Sequence, residues 1–226
     1  MKNTASRVLA AAVVAGTVLV SHSALAAAGD WILRGGATLV APNDDSGTVV
    51  VGGLGDTGSK VSVGNDVKPS FTVTYMVTDA IGVELLGAFP FEHEVDASGG
   101  ALAGLGHIAD VQHLPPTLSL QYHFQAGAFR PYVGAGLNYT FFFEEEASSS
   151  LKAAGFNKAS LKESFGYSLQ LGADYELGNN WLVNADLRYI DIETEARLSG
   201  PGGATGKVDN IELNPIVFTL AVGKRF

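Results

Sequence analysis

From Trp31 onward the chain repeatedly alternates apolar and polar positions with a period of two, the mark of strands whose two faces meet different surroundings. Eight such segments are predicted. Trp31–Val40 places Trp31, Leu33, Ala37 and Leu39 on one face and Arg34, Gly36 and Thr38 on the other. Ser70–Val77 sets Phe71, Val73, Tyr75 and Val77 against Thr72 and Thr74, and Ile81–Phe91 sets Val83, Leu85, Phe89 and Phe91 against Glu84. Thr117–Phe124 opposes Leu118, Leu120, Tyr122 and Phe124 to Ser119, Gln121 and His123. The longest alternations are Tyr132–Phe143 and Phe165–Leu177; the latter turns Leu169, Leu171 and Tyr175 one way and Gln170, Asp174 and Glu176 the other. A seventh segment starts at Trp181, with Asn184, Asp186 and Arg188 on its polar face. The eighth, expected to begin near Val208, ends on Phe218, Leu220, Val222 and the terminal Phe226 against Thr219, Gly223 and Arg225.

The connections alternate as well. Those after segments two, four and six are short, built on Thr78-Asp79-Ala80, Gln125–Arg130 and Gly178-Asn179-Asn180, whereas those after one, three, five and seven are long. An even number of antiparallel strands with short turns at one end and long loops at the other predicts a transmembrane β-barrel with both termini in the periplasm. Trp31, Tyr122, Phe124, Tyr175, Trp181 and Phe226 fall at strand ends as a periplasmic aromatic girdle, with Phe89, Phe91 and Phe141–Phe143 near the outer rim.

The N-terminus supplies the compartment. Lys2 and Arg7 precede an apolar run from Val8 to Val20, and Ala24-Leu25-Ala26 offers small residues to a signal peptidase, so residues 1–26 read as a cleaved signal and 27–226 as the barrel. The run is too short for a spanning helix, which takes about 20 apolar residues. Yet the chain is 46% hydrophobic with a mean hydropathy of +0.20. Strands must therefore carry its apolar surface. The net charge of −9 becomes −11 once Lys2 and Arg7 are removed, which argues against nucleic acid as a partner. With no cysteine, the chain has no disulfides or thiolate metal sites, and no cofactor is implied.

A soluble lipocalin-like barrel would alternate in the same way, with the apolar face inward. Residue size separates the two readings. Gly134, Gly136, Gly166, Ser168, Gly172 and Gly223 all lie on the polar face, as the cramped lumen of an eight-stranded barrel requires, while the aromatic face is left to meet lipid.

Several stretches resemble the OmpW family of outer-membrane proteins: residues 71–79 (FTVTYMVTD), 81–86 (IGVELL), 113–118 (HLPPTL), 129–140 (FRPYVGAGLNYT) and 181–184 (WLVN). The run Ser119-Leu120-Gln121-Tyr122-His123 is similar to the AlkL branch of that family, which is linked to alkane uptake. The resemblance covers essentially the whole mature chain. It implies an eight-stranded barrel that passes small hydrophobic molecules through an apolar extracellular funnel with lateral release into the bilayer. It also implies a bulky apolar gate residue near Arg188, which this chain lacks.

The residues give that expectation a physical form. Arg34, Glu84, Gln121, His123, Asp174, Glu176, Asp186, Arg188 and Arg225 all point inward and should pair into a polar plug. Toward the extracellular end the inward positions turn apolar, at Leu86, Pro90, Ile190, Ile192, Leu213, Pro215 and Val217, as a funnel or gate would. Prolines give no ladder hydrogen bond, so Pro90, Pro115, Pro116 and Pro215 mark either strand ends or places where the wall opens. The Gly-, Asp- and Ser-rich stretch 42–69 and the Gly/Ala-rich stretch 96–106 read as mobile coverings of the mouth, and 148–162 holds a short helix. Glu144–Glu146 is a solvated rim or a site for divalent cations beside lipopolysaccharide.

The expected partners are outer-membrane lipid and lipopolysaccharide, the assembly machinery reading the terminal Phe226, and small hydrophobic solutes. Two other function classes stay open. A structural or receptor barrel contacting phage, colicin or host would share the strand pattern but need no apolar chamber. A lipid A-modifying enzyme would need an acid–base constellation. His93 beside Glu92 and Glu94, and His107 and His113 around Asp110, are the candidates, with no recognisable serine partner and no fixed metal-ligand spacing.

Overall fold

The computed structural model describes residues 27–226. The segment read as a signal, 1–26, lies outside the described residues, and His22 with it. Eight long strands form one antiparallel sheet that closes on itself: Trp31–Ala41 (β1), Asp66–Met76 (β2), Ile81–Ala88 (β3), Thr117–His123 (β4), Phe129–Ala147 (β5), Ser164–Gly178 (β6), Trp181–Ile190 (β7) and Ile216–Arg225 (β8). Each pairs with its sequence neighbours, and β1 pairs with β8 from Ile32↔Arg225 to Ala41↔Ile216. The seam is clasped at its lower end, where the Trp31 and Phe226 backbones exchange N–H···O bonds of 3.1 and 2.8 Å. Closure leaves the eight-stranded sheet without a free edge.

Alternation decides which side chain meets what. Leu137 is 56% exposed, Leu171 58% and Leu220 55%, in a continuous outer belt, while the inward neighbours Asn138 and Gln170 are buried. An apolar belt of that extent on a water-soluble protein would drive aggregation; around a closed barrel it is a lipid-facing surface. At the lower rim Lys224 Nζ lies 5.4 Å from the Trp181 ring centroid and 5.3 Å from that of Phe226, a cation–π pair suited to an interface that is apolar on one side and wet on the other. The short turns sit at this end. Asn179 and Asn180, with φ of 51° and 64°, form the β6–β7 hairpin, a turn whose central residues both need positive φ.

At the other end the structure departs from the sequence expectation. The long connections are mostly strand, not mobile covering. Lys60–Val63, Phe91–Ser98 and His107–Leu114 add to the upper end of β5 as one curved wall. Lys158–Leu161, Glu193–Ser199, Thr205–Glu212, Val49–Val51 and Gly55–Asp56 form a second sheet opposite. The expected short helix is Ser149–Ala153, capped by the Ser148 hydroxyl, which accepts from the Leu151 N–H.

Two boundaries differ for local reasons. The third segment breaks at Phe89-Pro90, and the break reverses the parity, so Phe91, expected to face out, is 1% exposed inside the barrel. Phe142, in contrast, keeps the inward parity of Thr140 and packs against the inner core. The eighth segment is two strands, Thr205–Glu212 and Ile216–Arg225, separated where Asn214 takes φ 33° ahead of Pro215.

Candidate functional site: an apolar chamber above a charged plug

Inside the lower barrel the inward polar residues lock together. Arg34 makes a bidentate pair with Asp174, Nε to Oδ1 at 2.9 Å and Nη2 to Oδ2 at 2.6 Å, and its Nη1 donates to Thr74 Oγ1 and to Glu84 Oε2. Glu84 also accepts from Arg188 Nη2 at 2.8 Å and Gln170 Nε2 at 3.0 Å, so one carboxylate joins two guanidiniums. Gln170 and the Tyr132 hydroxyl both donate to Asp186, and Asn184 donates to the Tyr132 oxygen and to Asp174. His123 Nε2 donates to the Gln121 amide oxygen. Nearer the turns, Arg225 donates to Glu176 at 2.8 Å, and Arg130 lies 3.7 Å from the same carboxylate. The opening left among Arg34, Glu84, Tyr132, Asp186 and Arg188 is about 10 Å³. That is room for at most about one water, so no continuous aqueous path runs through the plug.

All nine residues expected in the plug lie within this layer. Tyr132, Arg130, Gln170 and Asn184 belong to it as well. Tyr132 was missed because it stands at the first position of its segment, although its inward parity could have revealed it. Its ring lies across from Gly172, its register partner, and a Cβ there would overlap the ring. Gly172→Ala is therefore expected to displace Tyr132 and cost about 1–3 kcal/mol in a urea titration of the refolded barrel; unchanged stability would show that the ring can yield.

Above the plug the two walls built from the long connections enclose a cavity of about 80 Å³. One wall contributes Val61, Val63, Val95, Ile108, Val111 and Phe142; the other contributes Val49, Ala196, Leu198, Val208, Ile211 and Leu213. Since about 10–15 Å³ holds a water, the space suits a solute of several heavy atoms, and its lining offers water almost no partner. Two histidines break the aliphatic surface. His93 and His113 are each 3% exposed and stack with ring centroids 4.9 Å apart. Their strands turn Glu92, Glu94, Asp110 and Gln112 outward, which places this layer beyond the lipid belt. Burial, reinforced by neighbouring His93, holds His113 down at about 3, and burial lowers His93 as well, so both rings are neutral at pH 7.

The residues expected in the funnel separate by height. Leu213 lines the chamber, Ile190, Ile192 and Val217 belong to the buried apolar core around it, and Pro215 is buried on the β7 side. Leu86 sits lower, on the plug opening. Pro90 is not in the funnel; it faces an outer groove with Lys68, Pro69, Phe89, Glu92 and Gln112. Most of the chamber lining comes from the long connections, whose strands of three to eight residues are interrupted by turns and register shifts and show little continuous period.

The prolines separate too. The β3–β4 ladder ends at Leu86↔Thr117 and pairing resumes only at Phe91↔His113, so Gly87–Pro90 and Leu114–Pro116 face each other unpaired. Phe89 N–H donates to Pro69 on β2, and Tyr139 N–H donates to Pro116 from β5. Pro90 and Pro115 both lie within this unpaired stretch, where neither can donate a ladder bond. Pro116 faces β5 instead. At Pro215, read as either a strand end or an opening, the wall is bridged by Ile190 N–H to Pro215 C=O at 3.2 Å and Leu213 N–H to Ile192 C=O at 2.9 Å.

No catalytic constellation gathers around the remaining candidates. His107 pairs with Asp110 at 3.2 Å on the half-exposed rim, apart from the His93–His113 stack. Among the described residues no group of three or more His, Asp or Glu side chains is placed to hold a metal. Glu144 and Glu146 are exposed at a register break in β5, while Glu145 accepts from the Leu161 N–H.

Known proteins share this architecture. The OmpW family model matches residues 27–226. Outer membrane protein W of Escherichia coli is 43% identical over 221 residues, covering 96% of this chain and 99% of that one. Outer membrane protein AlkL of Ectopseudomonas oleovorans is 29% identical over 199 residues, 88% of this chain and 83% of its own. The crystal structure of the outer membrane protein OprG from Pseudomonas aeruginosa superposes with a TM-score of 0.82 at 42% identity, covering 88% of this chain and 97% of that one. The closed eight-stranded barrel, its lipid-facing belt and these likenesses agree: the chain belongs to the OmpW family of outer-membrane proteins.

Proposed function

We propose that the protein is a passive conduit for small hydrophobic molecules. A solute enters the apolar chamber from outside, is stopped by the plug, and leaves sideways into the bilayer through the β3–β4 seam. The observation that carries this reading is the stacking of an apolar cavity of about 80 Å³ directly on a charged layer with an opening of about 10 Å³. Water and ions find no way down, and an apolar solute has no reason to enter the charged layer. A stretch of wall lacking ladder bonds lies beside the chamber, and Phe91 and His113, 5.6 Å apart, stand behind it. The short turns and both termini then lie in the periplasm, and Phe226 serves as the signal to the assembly machinery. The resemblance to the AlkL branch points the same way.

The test is uptake of radiolabelled naphthalene by cells with an intact outer membrane, with and without the protein, beside a polar solute of similar size. Faster entry of naphthalene alone is expected. Ala196→Trp, which puts an indole into the chamber, should remove that gain. Equal acceleration of both solutes would mean a water-filled pore, and no acceleration would leave a structural or receptor barrel.

A further inference from the structure

The chamber is apolar except at one place, and that place has a defined polarity. His93 Nδ1 lies 2.6 Å from the Gly64 carbonyl oxygen. A carbonyl only accepts, so Nδ1 carries the ring proton and Nε2 of the neutral imidazole is left with its lone pair. That nitrogen is buried and has no hydrogen-bond partner among the described residues, and the same is true of His113 Nε2 in the ring stacked on it. Buried acceptors without partners are rare and destabilising, and they mark sites where another group completes the bond. Neither ring escapes the requirement by ionising, because burial among apolar side chains keeps both neutral. His113 is further held between His93, Phe91 at 5.6 Å and Phe142 at 6.0 Å, an aromatic surface on which a flat ring can stack.

We infer that the chamber selects apolar molecules bearing a single hydrogen-bond donor, namely phenols and small alcohols, with the hydroxyl donating to His93 Nε2 and the hydrocarbon body filling the aliphatic cavity. The inference rests on the reading of the chamber as the solute's entry and adds the class of solute. A pure hydrocarbon enters but leaves the acceptor unmet. A solute with more polar groups has only the two histidine nitrogens to meet and must bury the rest against Val, Leu and Ile.

Two readouts test it. In the uptake assay 2-naphthol and naphthalene are compared in cells carrying the wild type, His93→Phe or no barrel. His93→Phe should lower the ratio of barrel-dependent 2-naphthol uptake to barrel-dependent naphthalene uptake about fivefold, the worth of one hydrogen bond. Equal effects on the two solutes would overturn the selectivity. The second readout does not depend on transport. In the purified, ¹⁵N-histidine-labelled protein, 2-naphthol should move the His93 Nε2 resonance toward the hydrogen-bonded range, and naphthalene should not. If neither solute is taken up faster than without the barrel but this shift occurs, the conduit reading fails and the binding site stands. If the shift is absent, the inference is wrong whatever uptake shows.

Discussion

Replacing Glu84 with alanine should lower the stability of the refolded barrel by about 3–5 kcal/mol and open an ion leak in planar bilayers. Glu84 is 1% exposed and, among the described residues, is the carboxylate bonded to both Arg34, at 3.2 Å, and Arg188, at 2.8 Å. Arg34 keeps its bidentate pair with Asp174, whereas Arg188 keeps the 3.6 Å approach of Asp186 and a 3.5 Å bond to the Ser119 hydroxyl. Removing one partner of a buried pair leaves an uncompensated charge, and it is that orphaned charge which costs. The vacated volume lies beside an opening of about 10 Å³. Water is expected to fill it, and the surplus of guanidinium should make the leak prefer anions. Glu84→Gln, which keeps the shape and two hydrogen-bonding atoms, should lose less stability and conduct less. Urea titration in lipid vesicles and single-channel recording check both parts; a Glu84→Ala barrel as stable and as closed as wild type would refute the plug.

What could be read in the sequence follows from where periodicity has room to act. β6 shows fifteen residues of alternation, and both its lipid face at Leu169 and Leu171 and its plug residues Gln170 and Asp174 follow from parity alone. The plug was therefore legible residue by residue, although not its pairing, since nothing in the order of the chain says that Arg34 meets Asp174 across the lumen. The chamber was nearly illegible. Val49–Val51 and Lys60–Val63 contribute one or two inward side chains each, inside stretches whose Gly, Asp and Ser read as loop. Parity failed where the backbone breaks it, at Phe89-Pro90, and turned Phe91 from an expected rim aromatic into a buried residue behind the seam. His93 and His113 were visible only as candidates for catalysis. Their stacking required the register Phe91↔His113, which no local pattern encodes.

Restoring the two missing donors at the seam should close the exit. The double variant Pro90→Ala, Pro115→Ala places two new N–H groups in the gap between Leu86↔Thr117 and Phe91↔His113. A ladder hydrogen bond is worth about 1 kcal/mol, so two together shift the balance between an open and a zipped seam by at least about tenfold toward zipped. Barrel-dependent naphthalene uptake should fall accordingly, while stability rises slightly and conductance stays that of the sealed plug. Pro215→Ala is the control. It lies on the opposite wall, where Ile190 and Ile192 already bridge to residues 213–215, so it gains no seam to close and should leave uptake as it was. Were Pro215→Ala to reduce uptake as much as the double variant, the exit would not be at β3–β4. Were neither to reduce it, solutes would leave the chamber by some path other than a break in the ladder. The prediction isolates the backbone as the cause, because alanine removes the prolyl ring without adding a side chain that could block the passage, and the chamber lining, His93 and the plug are untouched.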